Sequence, residues 1–529
     1  MLKNIIIKLM PFIFCAWGLY VFHGQEIWSG LSAHTGEYGD ARFVIYTLEH
    51  CYQWMLGKVE FLSPQFFYPE KNTLGFSDPM LGFSFPYVIF RHLGYTPYPA
   101  SSLNLIFWNI VSFFTCYYFS KKMFLWSTFL CSFFSFVVVF NSPKLNQLVH
   151  FQLQPLAYIL CFLAGMVYVV KNHTKLSNRA FFFVTTSSLL SLNLQLLSAF
   201  YMAWFACFFV LLLIALSAYH HGFSPLKQTV MFIWKTKKTP IILSLTVFLI
   251  ALIPFVLIYL PTLKDARVRR FSETLPMIPD IASYLSMGKT NWIWSTLVNT
   301  NRWVEKAIDP AFYYEHNLGL GLMLTLMWVY LLCSQLKNKP KDINLNATFL
   351  FQLLAFRIQK ISLWILIFFT TPGAIAIRAV GRMSIFMIIP LLFAITERLQ
   401  ALLSKKQPYQ QKLIYIVCLL AIAEQAATPI TFDAQKNWAY LNDLSLKIHK
   451  DCKSFYIKTG SHYAYSDEAL QIDAMWMSMI SGVPTLNGYS GFRPRQWPLS
   501  NPKEDQTTSF ALEWAKNKKL DHVPCEVKI

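Results

Sequence analysis

Long apolar runs separated by short polar stretches occupy most of the chain. They fall near Ile5–Val21, Leu103–Phe119, Phe124–Phe140, Leu156–Val170, Ala180–Leu196, Phe200–Ala218, Ile241–Leu260, Leu318–Cys333, Phe349–Phe369, Met383–Ile395 and Leu413–Ala427. A helix crossing a hydrocarbon core of roughly 30 Å needs about 20 apolar residues. The runs therefore predict an α-helical polytopic membrane protein of about 11 transmembrane helices.

The charges between the runs predict which ends share a side. With the N-terminus cytoplasmic, the inside loops collect Lys121, Lys122, Lys171, Lys175, Arg179, Lys227, Lys235, Lys237, Lys238, Lys337, Lys339, Lys341, Arg398, Lys405, Lys406 and Lys412. The short outside loops keep only Lys144, Arg378 and Arg382. Positive charge marks the cytoplasmic side, so the pattern predicts N-in and C-out. The first run is also readable as a signal peptide behind Lys3 and Lys8, although no small-residue cleavage site follows it. Residues 1–427 then form a transmembrane domain with long outside loops at 23–102 and 261–317, and residues 428–529 an extracytoplasmic C-terminal domain. The inside loops carry no P-loop and no GxGxxG.

The first outside loop contains GEYGDARFVIYTLEHCYQWMLGK from Gly36 to Lys58, which crowds Glu37, Asp40, Arg42, Glu49 and His50 soon after a span. Val44, Leu48, Cys51 and Met55 recur at helical spacing, with Arg42, Tyr46, Glu49, His50 and Gln53 on another face. That pattern predicts an amphipathic helix over 41–55 lying on the membrane surface. Asp40 stands at its N-terminal end, where a carboxylate serves as an N-cap; spacing alone leaves both a capping and a chemical role open. The rest of the loop interleaves aromatics and prolines, with Asp78 in an SDP turn.

Composition narrows the class further. Of 529 residues, 55% are hydrophobic, 17% aromatic and only 14% charged, which excludes an ordinary soluble domain. The net charge of +19 lies in clusters between apolar runs, so it orients the chain and is not a nucleic-acid footprint. The ten cysteines are scattered without CxxC or Cys/His metal spacing.

Several stretches together resemble the GT-C superfamily of membrane glycosyltransferases, and more closely a bacterial branch of it. They are GEYGDAR after the first span, the Glu49–His50 pair, FFYPEKNTLGFSD, RAVGR before a late span, and PTLNGYSG in the C-terminal region. The resemblance implies a GT-C-like bundle in a bacterial inner (plasma) membrane, active at the extracytoplasmic face on a sugar carried by polyprenyl phosphate or diphosphate. It implies an essential acid in the first outside loop, which here is Asp40, with Glu37 as a second carboxylate; the acids are spaced ExxD, where DxD or ExD is the commoner pattern. Some members bind a divalent cation, Mg or Mn, through such acids, so Asp40 and Glu37 are the candidate metal ligands and the cofactor stays unassigned.

Attack by a hydroxyl on an anomeric carbon needs a base for the acceptor proton and compensation for charge on the departing phosphate. Arg378 and Arg382, four residues apart at the membrane boundary, and the Arg267, Arg269, Arg270 cluster offer guanidinium groups that match phosphate oxygens. The same arginines also suit interfacial snorkelling. His150 and Glu315, in short outside stretches, are further candidates for the same cavity, with Glu49, His50 and Asp78.

Beyond Ala427 polar residues return, and a helix, a strand around SFYIKT, a helix ending at Gly482 and a turn-rich loop predict a small α/β domain. Cys452 and Cys525 are its only cysteines and a candidate disulfide in an oxidising compartment. The leading function is transfer of a sugar from a polyprenyl-phosphate carrier to a glycan, lipid or protein acceptor of the envelope, with no nucleic-acid partner. A transporter or flippase for lipid-linked saccharide, and a non-catalytic envelope assembly protein, are the alternatives. Transporters place ionisable groups near span centres, whereas the charge here falls at the outer rim.

Overall fold

The computed structural model describes residues 2–265, 269–298, 310–337, 342–405, 407–460, 466–503 and 505–529. Arg267, Lys339, Lys341 and Lys406 lie outside the described residues. Among those described, six helices are long and apolar enough to cross a membrane: Ile5–Trp28, Pro97–Met123, Thr128–Asn146, Phe151–Asn172, Phe200–His221 and Val380–Lys405. A seventh arises if Phe223–Ala251 and Ile253–Lys264, bent by 49°, form one span.

The other apolar runs take different forms. Leu322–Gln335 and Ile343–Leu354 are shorter helices. The run at Phe349–Phe369 is not one span, because Arg357–Ile358 and Ile361–Ser362 pair as a small antiparallel hairpin between the helices Ile343–Leu354 and Trp364–Thr370. Gln359 at the turn has φ 53°, a left-handed conformation that a continuous helix cannot contain.

The first helix extends beyond its apolar run to take in His23 and Glu26, and these begin a buried polar ladder. His23 Nδ1 lies 2.6 Å from Glu26 Oε2, and Ser102 Oγ donates to Glu26 Oε1 at 2.7 Å. His23 Nε2 meets Asn109 at 2.9 Å, and Lys144 Nζ donates to Asn109 Oδ1 at 2.8 Å and to the Val139 carbonyl at 3.0 Å. Buried polar groups must be paired, so the ladder ties the segment around Asn141–Asn146, which leads to His150, to two long helices.

The helix expected on the membrane surface, Asp40–Met55, is instead enclosed, with every residue from Ala41 to Cys51 buried. Part of its polar face, Arg42 and Tyr46, is covered by the C-terminal segment, which shares a core with the first loop. Tyr46 and Tyr98 pack against Trp476 with ring centroids 5.7 and 5.9 Å apart. Ala33–Thr35 pairs antiparallel with Thr431–Asp433, and the Phe67 and Thr485 amides bond the Asn487 and Gln65 carbonyls at 2.9 and 3.0 Å. Within the C-terminal segment, Phe455–Lys458 and Cys525–Lys528 form a parallel pair beside the helix Asp467–Ser481, which ends at Gly482 in the left-handed region. A disulfide joins Cys452 to Cys525, with Cα atoms 5.9 Å apart.

Candidate active site

Asp40 is the first residue of its helix, and the N-cap is Gly39, with no side-chain capping bond. Just before it Gly36 holds φ +116°, and a Cβ there would stand 2.5 Å from that of Ala41, so the chain needs glycine to turn this tightly into the helix. Freed from capping, the Asp40 carboxylate faces other elements. Its Oδ1 accepts from the Tyr489 hydroxyl at 2.6 Å, and its Oδ2 lies 3.6 Å from His150 Nε2. Burial and the Asp40 charge push the Tyr489 phenol well above its ordinary value, so it stays a donor.

Behind His150 lies a buried ion pair. Arg382 donates from Nη2 to Glu315 Oε1 at 2.6 Å and from Nε to the same oxygen at 3.0 Å, and its guanidinium carbon stands 5.5 Å from the Tyr201 ring centre. Arg382 Nη2 also lies 2.6 Å from His150 Nε2. A guanidinium only donates, so Nε2 accepts and the imidazole proton sits on Nδ1. Gln147 completes the frame by donating to Glu315 Oε2 at 3.2 Å and to the Tyr314 carbonyl at 2.8 Å. Arg382, expected as a phosphate ligand, is thus not a free cation.

Burial alone would raise the Glu315 carboxyl, but the Arg382 charge holds it well below the usual carboxylate range. A carboxyl depressed in the folded state contributes stability above its unfolded value of about 4.3, and loses that contribution as pH falls below it. The melting-temperature gap between the wild type and Glu315→Gln should stay constant from neutral pH to about pH 5 and narrow below that. A gap that widened on acidification would contradict the pairing.

Arg378 is the contrasting arginine. Its amide donates to the Tyr201 hydroxyl at 2.8 Å, its side chain is exposed, and among the described residues its guanidinium has no hydrogen bond or ion pair. It lies close enough to Tyr489 for its charge to act on that phenol. Glu37 is part-buried beside Asp40, and burial first, then the Asp40 charge, raises its carboxyl. Asp78 is held by the Phe200 amide at 2.9 Å and by Gln152 at 3.4 Å, which anchors the start of the helix Phe200–His221 more than a simple turn would.

Not every sequence candidate joins this centre. Glu49 pairs with Arg91 at 2.8 Å and accepts from Tyr87 at 2.6 Å, which pins the Asp40–Met55 helix to the helix Phe85–His92. His50 Nε2 meets the Phe61 carbonyl at 2.8 Å, and burial pushes its imidazole down to about 4. Arg270 is exposed near Glu273, whose carboxylate accepts from the Arg270 amide at 3.0 Å. Conversely, Tyr201, Gln147 and the carboxylate contact of Tyr489 carry no local signal, because each acts on a residue far away in the chain.

Glu37 and Asp40 are adjacent carboxylates that suit a hard cation, but among the described residues no group of three or more His, Cys, Asp or Glu side chains converges on a metal position. A divalent ion held there would take its remaining ligands from water or a substrate phosphate, as Mg²⁺ commonly does.

The chain is a multi-pass helical membrane protein with a polar centre where its loops and C-terminal segment meet. No family model and no curated protein matches it. It is similar to a crystal structure of ArnT from Cupriavidus metallidurans bound to undecaprenyl phosphate, at 12% identity and TM-score 0.36, over 90% of this chain and 89% of that one. The apo structure of the same ArnT gives 11% identity and TM-score 0.33, over 92% and 89%.

Proposed function

We propose that the protein is a GT-C-type glycosyltransferase of a bacterial inner membrane that moves a sugar from a polyprenyl-phosphate carrier to an envelope acceptor at the outer face. The observation that carries this reading is the setting of Asp40. A carboxylate released from capping bonds Tyr489, the phenol that the uncommitted Arg378 also acts on, and is backed by the His150–Arg382–Glu315 frame. The donor class is what the resemblance to the GT-C superfamily implies.

In the proposed step the acceptor oxygen attacks the anomeric carbon, its proton passes to Asp40, and the bond from that carbon to the carrier phosphate breaks with its electron pair on the phosphate. Arg378 meets the developing phosphate charge. Tyr489 orients the carboxylate through its hydroxyl, while the Arg382–Glu315 pair holds His150 behind it with its Nε2 lone pair occupied. The Glu37–Asp40 pair would hold a divalent cation if the reaction uses one.

Purified protein given carrier-linked labelled sugar should release free polyprenyl phosphate and labelled acceptor, whereas a flippase would leave the carrier intact. Arg378→Ala should reduce kcat/KM by an amount on the order of 2.7–4 kcal/mol, the cost of removing one electrostatic contact to a transition state. Arg378→Lys should recover only part, because an ammonium lacks the planar fork. Normal kinetics for Arg378→Ala across a donor titration would remove the phosphate assignment.

A further inference from the structure

The NGYSGFRPRQWP loop brings more charge to this end of the molecule than the reaction uses. Arg269 is the staple: its Nη1 donates to the Ala376 carbonyl at 2.6 Å, its Nη2 to the Gly491 carbonyl at 3.4 Å, and its guanidinium carbon stands 4.5 Å from the centre of the Phe492 ring. One buried side chain thus joins three segments, and each carries an exposed arginine within a few residues of the junction. These are Arg270, Arg378, and the pair Arg493 and Arg495. Among the described residues neither Arg493 nor Arg495 has an ion pair.

The same junction borders exposed apolar surface. Phe271, next to Arg270, packs on Phe368 and Phe369 with centroids 5.4 and 6.5 Å away, and Phe369 is 70% exposed. Ile375, next to the Ala376 carbonyl that Arg269 bonds, is exposed as well. Exposed cations around a junction that also borders exposed apolar side chains match an amphiphile, whose charged headgroup and chains need both. A soluble anion would use only half of this face.

We infer that Arg493 and Arg495, with Arg270 on the neighbouring segment, form a docking face for anionic membrane phospholipids, whose phosphates meet the arginines while the acyl chains lie over Phe369 and Ile375. The face would hold the C-terminal segment against the bilayer at the rim of the site. It goes beyond the transferase reading and does not depend on it.

The test is native mass spectrometry of the full-length protein in detergent, titrated with phosphatidylglycerol or phosphatidylcholine. The wild type should retain phosphatidylglycerol in preference to phosphatidylcholine, and Arg493→Gln/Arg495→Gln should weaken that retention on the order of tenfold while leaving its melting temperature unchanged. Glycerol phosphate, which has the headgroup charge without the chains, should compete poorly. Equal retention of both lipids, an unchanged preference in the double variant, or full displacement by glycerol phosphate would each overturn the proposal. Displacement by unglycosylated undecaprenyl phosphate but not by excess phosphatidylglycerol would assign the face to the sugar carrier instead. Lipid retention is read without turnover, so a failed transferase assay leaves this result standing.

Discussion

Asp40→Asn should fold normally and lose turnover on the order of 10²–10⁴-fold, the usual loss for a missing general base. The substitution separates scaffold from chemistry cleanly. The Asn carbonyl oxygen still accepts the Tyr489 hydroxyl, which now bonds Oδ1 at 2.6 Å, so the link between the first loop and the C-terminal segment persists. No capping bond is lost, since Asp40 makes none. What disappears is the capacity to take a proton from the acceptor hydroxyl. Glu37→Gln should be milder, as befits a neighbour of the base. Turnover of labelled donor, measured beside melting temperature, decides the matter; a stable Asp40→Asn protein with full activity would falsify the assignment.

The largest stability effect should come two residues later. Arg42 is 1% exposed, donates from Nη2 to Asp473 Oδ1, itself 1% exposed, and places its guanidinium 5.6 Å from the centre of the Tyr38 ring. The pair bolts the Asp40 helix to the helix Asp467–Ser481. Arg42→Met leaves the Asp473 carboxylate buried without its cation and should cost about 3–5 kcal/mol. Melting temperature and protease sensitivity of the C-terminal segment are the readouts. Arg42→Met/Asp473→Leu should regain part of the loss, because removing both charges also removes the desolvation penalty. A wild-type melting temperature for Arg42→Met alone would show that the pair holds nothing.

Much of the site was legible in the residues, yet its grouping was not. Asp40, Glu37, His150, Glu315, Arg378 and Arg382 all stand out as polar groups at the ends of apolar runs. That Arg382 spends its charge on Glu315, 67 residues earlier, and on His150, 232 residues earlier, depends on three chain segments meeting in space. Glu49 and His50 mislead for the opposite reason. They are close to Asp40 in sequence, but nine residues of helix at a rise of 1.5 Å put Glu49 roughly 14 Å further along the axis, where it meets Arg91.

By itself the sequence determined that the chain is a helical membrane protein, that polar chemistry gathers between spans, and that the C-terminal region is a separate composition with its own strands and helices. Those properties follow from local apolar length, charge placement and turn residues, each readable within a short window. Only the tertiary structure decided that the Asp40–Met55 helix is enclosed rather than laid on a bilayer, that the run at Phe349–Phe369 is broken by a hairpin, and that Tyr489, 449 residues beyond Asp40, completes the carboxylate's surroundings. For the helix and for Asp40 the physical reason is shared: an amphipathic face specifies that it must be covered but not by what, and Asp473, Trp476 and Tyr489 come from the far end of the chain. The hairpin is instead a local pairing that apolar length alone does not reveal.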